Sequence, residues 1–267
     1  MRIVVDAMGS DTCPDPEVQA VVQAADQYGE EIILVGLSAK SGLVSAKPIH
    51  YVANQGRMLA NIVAGVSKSL ELDKKTKYVL VVSSDIPTLK PEMVDWLVDT
   101  CMETKDELYY GVCTREVMEA RFPGSKRTYT RLKGIELCGA DINITHVRMA
   151  TEHLDMWETL IGTRKSPLKQ AGIIGLGTLW KVLTRSITLD DLVEKVCQRI
   201  GIKGRAIIWP HAEPCMDVDK PHQLELLRED MEKSQRKAVA KAKRIARAES
   251  APAKKPAAVK TAKAGTT

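Results

Sequence analysis

Short apolar runs alternate with amphipathic stretches along the first 115 residues. Ile3-Val4-Val5 is a β-branched run that predicts a strand. The loop DAMGSDTCPDP follows it. Glu17 to Tyr28 then carries Val18, Val21, Val22 and Ala25 at helical spacing, and Gly29 stops the pattern. Ile32-Ile33-Leu34-Val35 predicts a second, buried strand, and Ile49-His50-Tyr51-Val52 a third, short and edge-like. Met58 to Leu70 reads as a helix with Met58, Ile62, Val66 and Leu70 turned inward. Tyr78 to Val82, YVLVV, is the strongest strand signal in the chain. Pro91 to Met102 predicts a helix with Pro91 at its first position, and Leu108 to Val112 another strand. Strands alternating with helices predict an α/β fold with a mainly parallel sheet flanked by helices. No internal repeat is visible.

Composition narrows the class. Of 267 residues, 44% are hydrophobic and 27% charged, enough to build a core in one large domain or two small ones. Aromatics make up 4%, with Phe122 the single Phe, which argues against a nucleic-acid binder that works by stacking. No apolar run approaches the roughly 18 residues of a membrane span. The opening MRIVVDAMGSD reads as a strand rather than a signal peptide, so the expectation is a cytoplasmic protein. The cysteines, Cys13, Cys101, Cys113, Cys138, Cys197 and Cys215, form no C-x-x-C pair and match no zinc spacing. Reduced, mostly buried thiols are expected.

Charge divides the chain. From Glu232 onward eleven Lys and Arg face two Glu, a net +9; with +5 overall, residues 1–231 carry −4. Residues 223–248 favour helix by composition. From Glu249 the low-complexity ESAPAKKPAAVKTAKAGTT predicts disorder. This basic tail could meet nucleic acid or another anionic partner. No aromatic or Gly-Arg pattern interleaves its charges, which favours a solvated tail.

Candidate chemistry lies past the strongest strand, because open α/β sheets bind ligands at the C-terminal ends of their strands. There stand Ser83-Ser84-Asp85-Ile86-Pro87. Asp85 is placed either to ligate Mg²⁺ beside a nucleotide phosphate or to cap the following turn. A second acidic stretch, Asp217-Val218-Asp219, would put both carboxylates on one face of an extended segment before a helix starting at Pro221. Acids before a helix are also common caps. The five His lie in no nucleophile-elbow context and no G-x-S-x-G occurs, so Ser-His-Asp hydrolysis has no support. Gly172 to Gly177 is Gly-rich but matches no phosphate loop and reads as a turn between helices.

Taken in order, S-S-D-I-P-x-L-x-P-E and the later D-V-D-x-P-x-x-L resemble the nucleotidyltransferase family of the molybdenum cofactor guanylyltransferase type, over about residues 36–231. Between them, RFPGSKRTYTRLKGIELCGADINITH is similar to that family's basic loop, strand and Gly-Gly-Asn-like turn. The resemblance implies a Rossmann-like GT-A fold. It implies metal binding by Asp85, Asp217 and Asp219, with Ser84 and Asp85 at the nucleotide. Gly139 and Asn143 would face the acceptor, and Lys126, Arg127 and Arg131 would meet phosphates. NTP and a small-molecule acceptor are the implied partners, with Mg²⁺ as cofactor and no membrane.

The family's N-terminal G-G-x-x-x-R-M loop and its Lys are absent. Residues 1–36 instead resemble the opening of the acyl-carrier-protein-linked phosphate acyltransferase of phospholipid synthesis, keeping Asp6, Gly9 and Asp11. That implies a chimaeric chain joined near Val35-Gly36, or an assembly artefact. The expected divisions are 1–36, a βαβ segment completing the sheet; 37–231, a nucleotidyltransferase-like domain; and 232–267, the basic helix and tail. Three activities are compatible with these features: a Mg²⁺-dependent nucleotidyltransferase slowed by the missing loop, a non-catalytic nucleotide-binding relative, and a phosphate acyltransferase. The last would have only 36 residues of its family.

Overall fold

A computed structural model describes residues 1–7, 16–26, 31–152, 154 and 175–249. The chain forms two units, Met1–Leu227 and Arg228–Thr267. Among the described residues of the first, nine strands make one sheet: β1 (Arg2–Asp6), β2 (Ile32–Val35), β3 (Ile49–Val52), β4 (Tyr78–Ser83), β5 (Leu108–Thr114), β6 (Thr130–Leu132), β7 (Ile135–Gly139), β8 (Ile142–His146) and β9 (Gly204–Trp209). Their order is β3-β2-β1-β4-β8-β5-β7-β6, with β9 beside β5.

The α/β layering follows the sequence pattern, but the sheet is mixed rather than mainly parallel. β3, β2, β1 and β4 run parallel. β8 is inserted antiparallel between β4 and β5, β6 and β7 are antiparallel neighbours, and β9 is parallel to β5. Ile3, Val4 and Val5 are fully buried because β1 is covered on both faces. Ile3 and Val5 join Ile32, Leu34, Leu80 and Val82 under α1 (Pro16–Asp26) and α3 (Pro91–Met102). Val4, Ile33, Val35 and Val79 face the other way, toward Val66 of α2 (Met58–Leu72) and Val147, which precedes α5 (Arg148–Thr151).

The inward face of α2 is not the expected apolar stripe alone. Asn61, Gly65, Val66 and Ser69 are its buried residues, with Ile62 and Leu70 packed at the margin. Gly65 lets the helix approach β1: a Cβ there would lie 2.3 Å from Val4 Cγ1.

α4 (Arg115–Arg121) follows β5 directly. α6 (Leu176–Leu183) and α7 (Leu189–Ile200) pack Val182, Leu189 and Leu192 on Val112, Leu137 and Ala206. Gly175 precedes α6, and Gly177 lies within it; Gly172 lies outside the described residues. α8 runs from Pro221 to Glu249, as the composition predicts, and crosses from one unit into the next. In the second unit its exposed face carries i,i+4 pairs, Glu229–Lys233 at 3.1 Å and Glu232–Arg236 at 3.3 Å. The low-complexity residues after Glu249 lie outside the described residues, as do Gly9, Asp11 and Cys13. No described helix is long and apolar enough to cross a membrane.

Candidate functional site

Four main-chain hydrogen bonds assemble the C-terminal edge of the sheet. Past β4, Ser84 N donates to Asp6 O (3.0 Å), which joins the β4 exit to the end of β1. Ser83 N donates to Asp141 O (2.8 Å), in the Ala140-Asp141 turn between β7 and β8. Asp141 N in turn donates to Pro214 O (3.0 Å), within a 3₁₀ turn over Glu213–Cys215, and Val218 N donates to Asp85 O (3.1 Å). Four segments far apart in sequence are thereby held side by side.

The carboxylates they carry converge. Ligand-capable oxygens of Asp85, Asp217 and Asp219 all lie within 4.8 Å of one another. Asp217 is buried, Asp85 half-buried and Asp219 exposed. Val218 turns the opposite way and packs against the main core, as the alternation of Asp-Val-Asp requires. Asp85 Oδ1 is buried without a hydrogen-bond partner. Burial pushes the Asp85 carboxyl above its ordinary range; a hydrogen bond from Ser83 opposes this and the charge of Asp219 adds to it. Asp141, a member of the group that the sequence did not single out, is pushed up to about 7, first by burial and then by Asp85. A concentration of hard oxygens with an unpartnered buried donor atom suits Mg²⁺, which prefers carboxylate and phosphate oxygens.

Arg127 is the cation inside this group. It forms an ion pair with Asp217, its Nη2 lies 3.9 Å from Asp141 Oδ2, and the same nitrogen donates to Gly139 O at 3.5 Å. Its loop is anchored where His222 Nε2 and Gln223 Nε2 of α8 lie 3.1 and 3.4 Å from Ser125 O. Arg121, at the end of α4, pairs with Glu213 at 2.8 Å and ties the same region to the 213–215 turn.

The other expected residues are placed differently. Ser84 is buried and engaged through its main chain. Gly139 ends β7, and the turn is Ala140-Asp141 rather than 139–143. Asn143 lies within β8, where its Oδ1 accepts from Gly111 N (2.9 Å) and ties β8 to β5. Lys126 is exposed with φ of 54°. Arg131 lies on β6 and pairs with Glu136 at 2.9 Å. Of the five residues expected to meet substrate, Arg127 is the one recorded against the carboxylates, and Gly139 touches the group through Arg127.

Comparisons with known proteins give the same class of fold. The family described as "MobA-like NTP transferase domain" matches residues 12–158, more than half of the chain. Asp85 and Asp141 fall inside that stretch and Asp217 and Asp219 outside it. A hypothetical transferase from Thermus thermophilus is 27% identical with a TM-score of 0.71, covering 84% of this chain and 100% of its own. A CMP:2-keto-3-deoxy-manno-octonic acid synthetase complexed with CTP is 11% identical with a TM-score of 0.53, covering 87% of this chain and 98% of its own. No curated protein matches the sequence. The family match runs unbroken across Val35-Gly36. The junction there, and the acyltransferase resemblance of residues 1–36, find no support; β1 and β2 sit in the parallel half of the sheet, paired with β4 and β3.

Proposed function

The chain belongs to the MobA-like NTP transferase domain family, and from that premise we propose that it transfers a nucleoside monophosphate from an NTP to a phosphorylated or hydroxylated small acceptor, releasing pyrophosphate, with Mg²⁺ as cofactor. The observation that carries this reading is the meeting of Asp85, Asp217 and Asp219 within 4.8 Å at the C-terminal edge of the sheet. The three carboxylates would hold the cation. When bound, it would neutralise charge on the triphosphate and on the departing pyrophosphate. Asp85, fixed between β4 and the 217–219 segment by main-chain bonds, orients the edge of the site on which the phosphates rest. Arg127 is the basic group placed to offer N–H donors to a phosphate oxygen on release from Asp217. The CMP sugar-acid synthetase with bound CTP shows that a chain of this fold accommodates an NTP. Free cysteines suit the reducing, nucleotide-rich cytoplasm, where we place the protein.

The test is pyrophosphate release with each of the four NTPs and a panel of phosphosugar and hydroxylated acceptors, with Mg²⁺ and with EDTA. Mg²⁺-dependent release abolished by Asp85→Ala is the expected result. Release that survives both EDTA and Asp85→Ala would overturn the assignment. The lack of the Gly-rich G-G-x-x-x-R-M loop favours a second reading, a relative that binds nucleotide without turnover; nucleotide binding with no release from any acceptor would select it.

A further inference from the structure

Beside the acid group lies a set of nucleophilic side chains that nucleotidyl transfer does not use. Cys113 on β5 and Cys138 on β7 are direct partners in the antiparallel ladder, so their side chains leave the same face of the sheet. Cys138 Sγ lies 3.7 Å from Cys113 O. Cys215, ending the 3₁₀ turn two residues before Asp217, adds a third thiol to the same buried core cluster. All three are free and buried. Cys138 keeps 4% of its surface, against 0% for Cys113 and Cys215, so it is the one a small reagent meets first. Hydrogen bonds from Cys113 and Cys215, and then the charge of Arg127, hold the Cys138 thiol below its ordinary range.

We propose that Cys113 and Cys138 are a redox-modification site, oxidised by a small peroxide to a cross-strand disulfide that disturbs Arg127 and Asp217 and weakens cation binding by the carboxylates. The coupling rests on the cation site proposed above; the disulfide itself does not. The Cys138 sulfur attacks one peroxide oxygen, the O–O bond breaks, and the departing hydroxide leaves as water with the thiol proton. The Cys113 sulfur then attacks the resulting sulfenic sulfur, the S–O bond breaks, and the hydroxyl leaves as a second water with the Cys113 proton. Two thiols lose two electrons to one peroxide, giving one disulfide and two waters.

The register explains why the bond would be felt at the carboxylates. Ala140 N donates to Gly111 O (2.9 Å), which makes Gly111 and Ala140 a hydrogen-bonded pair and Cys113 and Cys138, two residues along, another. Cα atoms in such pairs are about 5.5 Å apart, inside the range a disulfide spans. Their Cβ atoms stand roughly 4.5–5.5 Å apart, whereas a disulfide holds them near ~3.8 Å. Closing it draws β7 toward β5 at the residue before Gly139, whose carbonyl accepts from Arg127. Oxidation also removes the Cys138 thiolate character that the charge of Arg127 helps to favour.

The full chain, freed of reductant, is treated with graded hydrogen peroxide, mapped by non-reducing peptide mass spectrometry, and titrated with Mn²⁺ followed by its EPR signal. The expected result is a Cys113–Cys138 cross-linked peptide and Mn²⁺ affinity lowered threefold or more, both reversed by dithiothreitol. Cys113→Ser should keep its Mn²⁺ affinity after peroxide; if that buried variant fails to fold, Cys138→Ala gives the same reading. Oxidation of Cys138 to sulfinic acid without a cross-link, or no oxidation of either thiol, overturns the disulfide. A cross-link that leaves Mn²⁺ affinity unchanged overturns the coupling. Absence of Mn²⁺ binding by the reduced chain overturns the cation site, and the peptide map then decides the disulfide alone.

Discussion

Replacing Gly65 by Ala adds one methyl group where α2 crosses β1. Its Cβ would stand 2.3 Å from Val4 Cγ1 and 3.2 and 3.3 Å from Val4 Cγ2 and Cβ, while carbon atoms settle at about 3.5–4.0 Å. Val4 is fully buried among Ile33, Val35 and Val79, so it has no room to rotate away and the helix must shift outward by roughly 1 Å. Overpacking of this kind costs about 1–3 kcal/mol. The better helix propensity of Ala offsets about 0.8–1.0 kcal/mol. A net loss of about 1 kcal/mol is expected, lowering Tm by ~2–4 °C for a unit of this size. The displacement should also reach the site. Asn61, one turn before Gly65, donates to Asp6 Oδ1 (2.9 Å), and Asp6 O accepts from Ser84 N next to Asp85. Mn²⁺ binding should weaken, by no more than the ~5-fold that 1 kcal/mol represents. Urea denaturation of Gly65→Ala, Val4→Ala and the double variant measures the clash as a coupling energy. With Val4 truncated the new methyl group fits, and Gly65→Ala should become stabilising. A single variant that gains the full propensity increment, or a cycle with no coupling, refutes the close approach.

Three further outcomes are expected. Arg127→Gln leaves Asp217 buried and unpaired, which should cost about 3–5 kcal/mol without a divalent cation; saturating Mn²⁺ should restore more of the Tm in this variant than in the wild type, and equal shifts would show that Arg127 and the cation do not share Asp217. Asp141, pushed up to about 7 from 3.8, favours its protonated form in the folded state, so its contribution to stability is full below about 4 and is lost as pH rises through about 7. Cation-free stability from urea denaturation should therefore fall between about pH 4 and 7 more steeply in the wild type than in Asp141→Asn, and identical slopes would contradict the placement of that carboxyl. Turnover should be slow, since loss of a single preorganised donor costs ~10²–10³ in rate; grafting a G-G-x-x-x-R-M loop and its Lys over residues 7–16, with Asp6 kept, should raise pyrophosphate release, and an unchanged rate would exclude the loop as the limiting element.

The parallel half of the sheet was legible because doubly covered strands write themselves as continuous aliphatic runs, as in β1, β2 and β4. β9 was not: Arg205 and Ile208 of Gly204–Trp209 are exposed, so the segment reads as neither a buried run nor a clean alternation. The antiparallel insertion of β8 between β4 and β5 is a long-range choice, with Tyr78 paired to His146, that no local pattern encodes. Pro91 at the start of α3 and the helix over Pro221–Glu249 followed from local chemistry. On α2 the apolar stripe misjudged the innermost face, because close approach there depends on a missing side chain at Gly65 and a buried amide at Asn61. Asp85 and Asp217–Asp219 stood out as acids at a strand exit and a helix entry. Asp141 did not, since an Asp in a two-residue turn is ordinary. Arg127 could be flagged as basic, but its place among the acids depends on the anchoring of Ser125 by His222 and Gln223, about a hundred residues away.

The frame that carries the acids is made of main-chain hydrogen bonds, and main-chain atoms are common to every residue except for the missing N–H of proline. Ser83, Ser84, Asp141 and Val218 contribute their N–H groups to this frame whatever their side chains are. Exchanging one acid for another polar residue alters what the site can hold while leaving the positions from which side chains reach into it. The frame therefore survives such substitutions, at a folding cost that is small at exposed Asp219 and larger at Asp217, which pairs with Arg127. It gives such a chain a short mutational route between binding a nucleotide and transforming one.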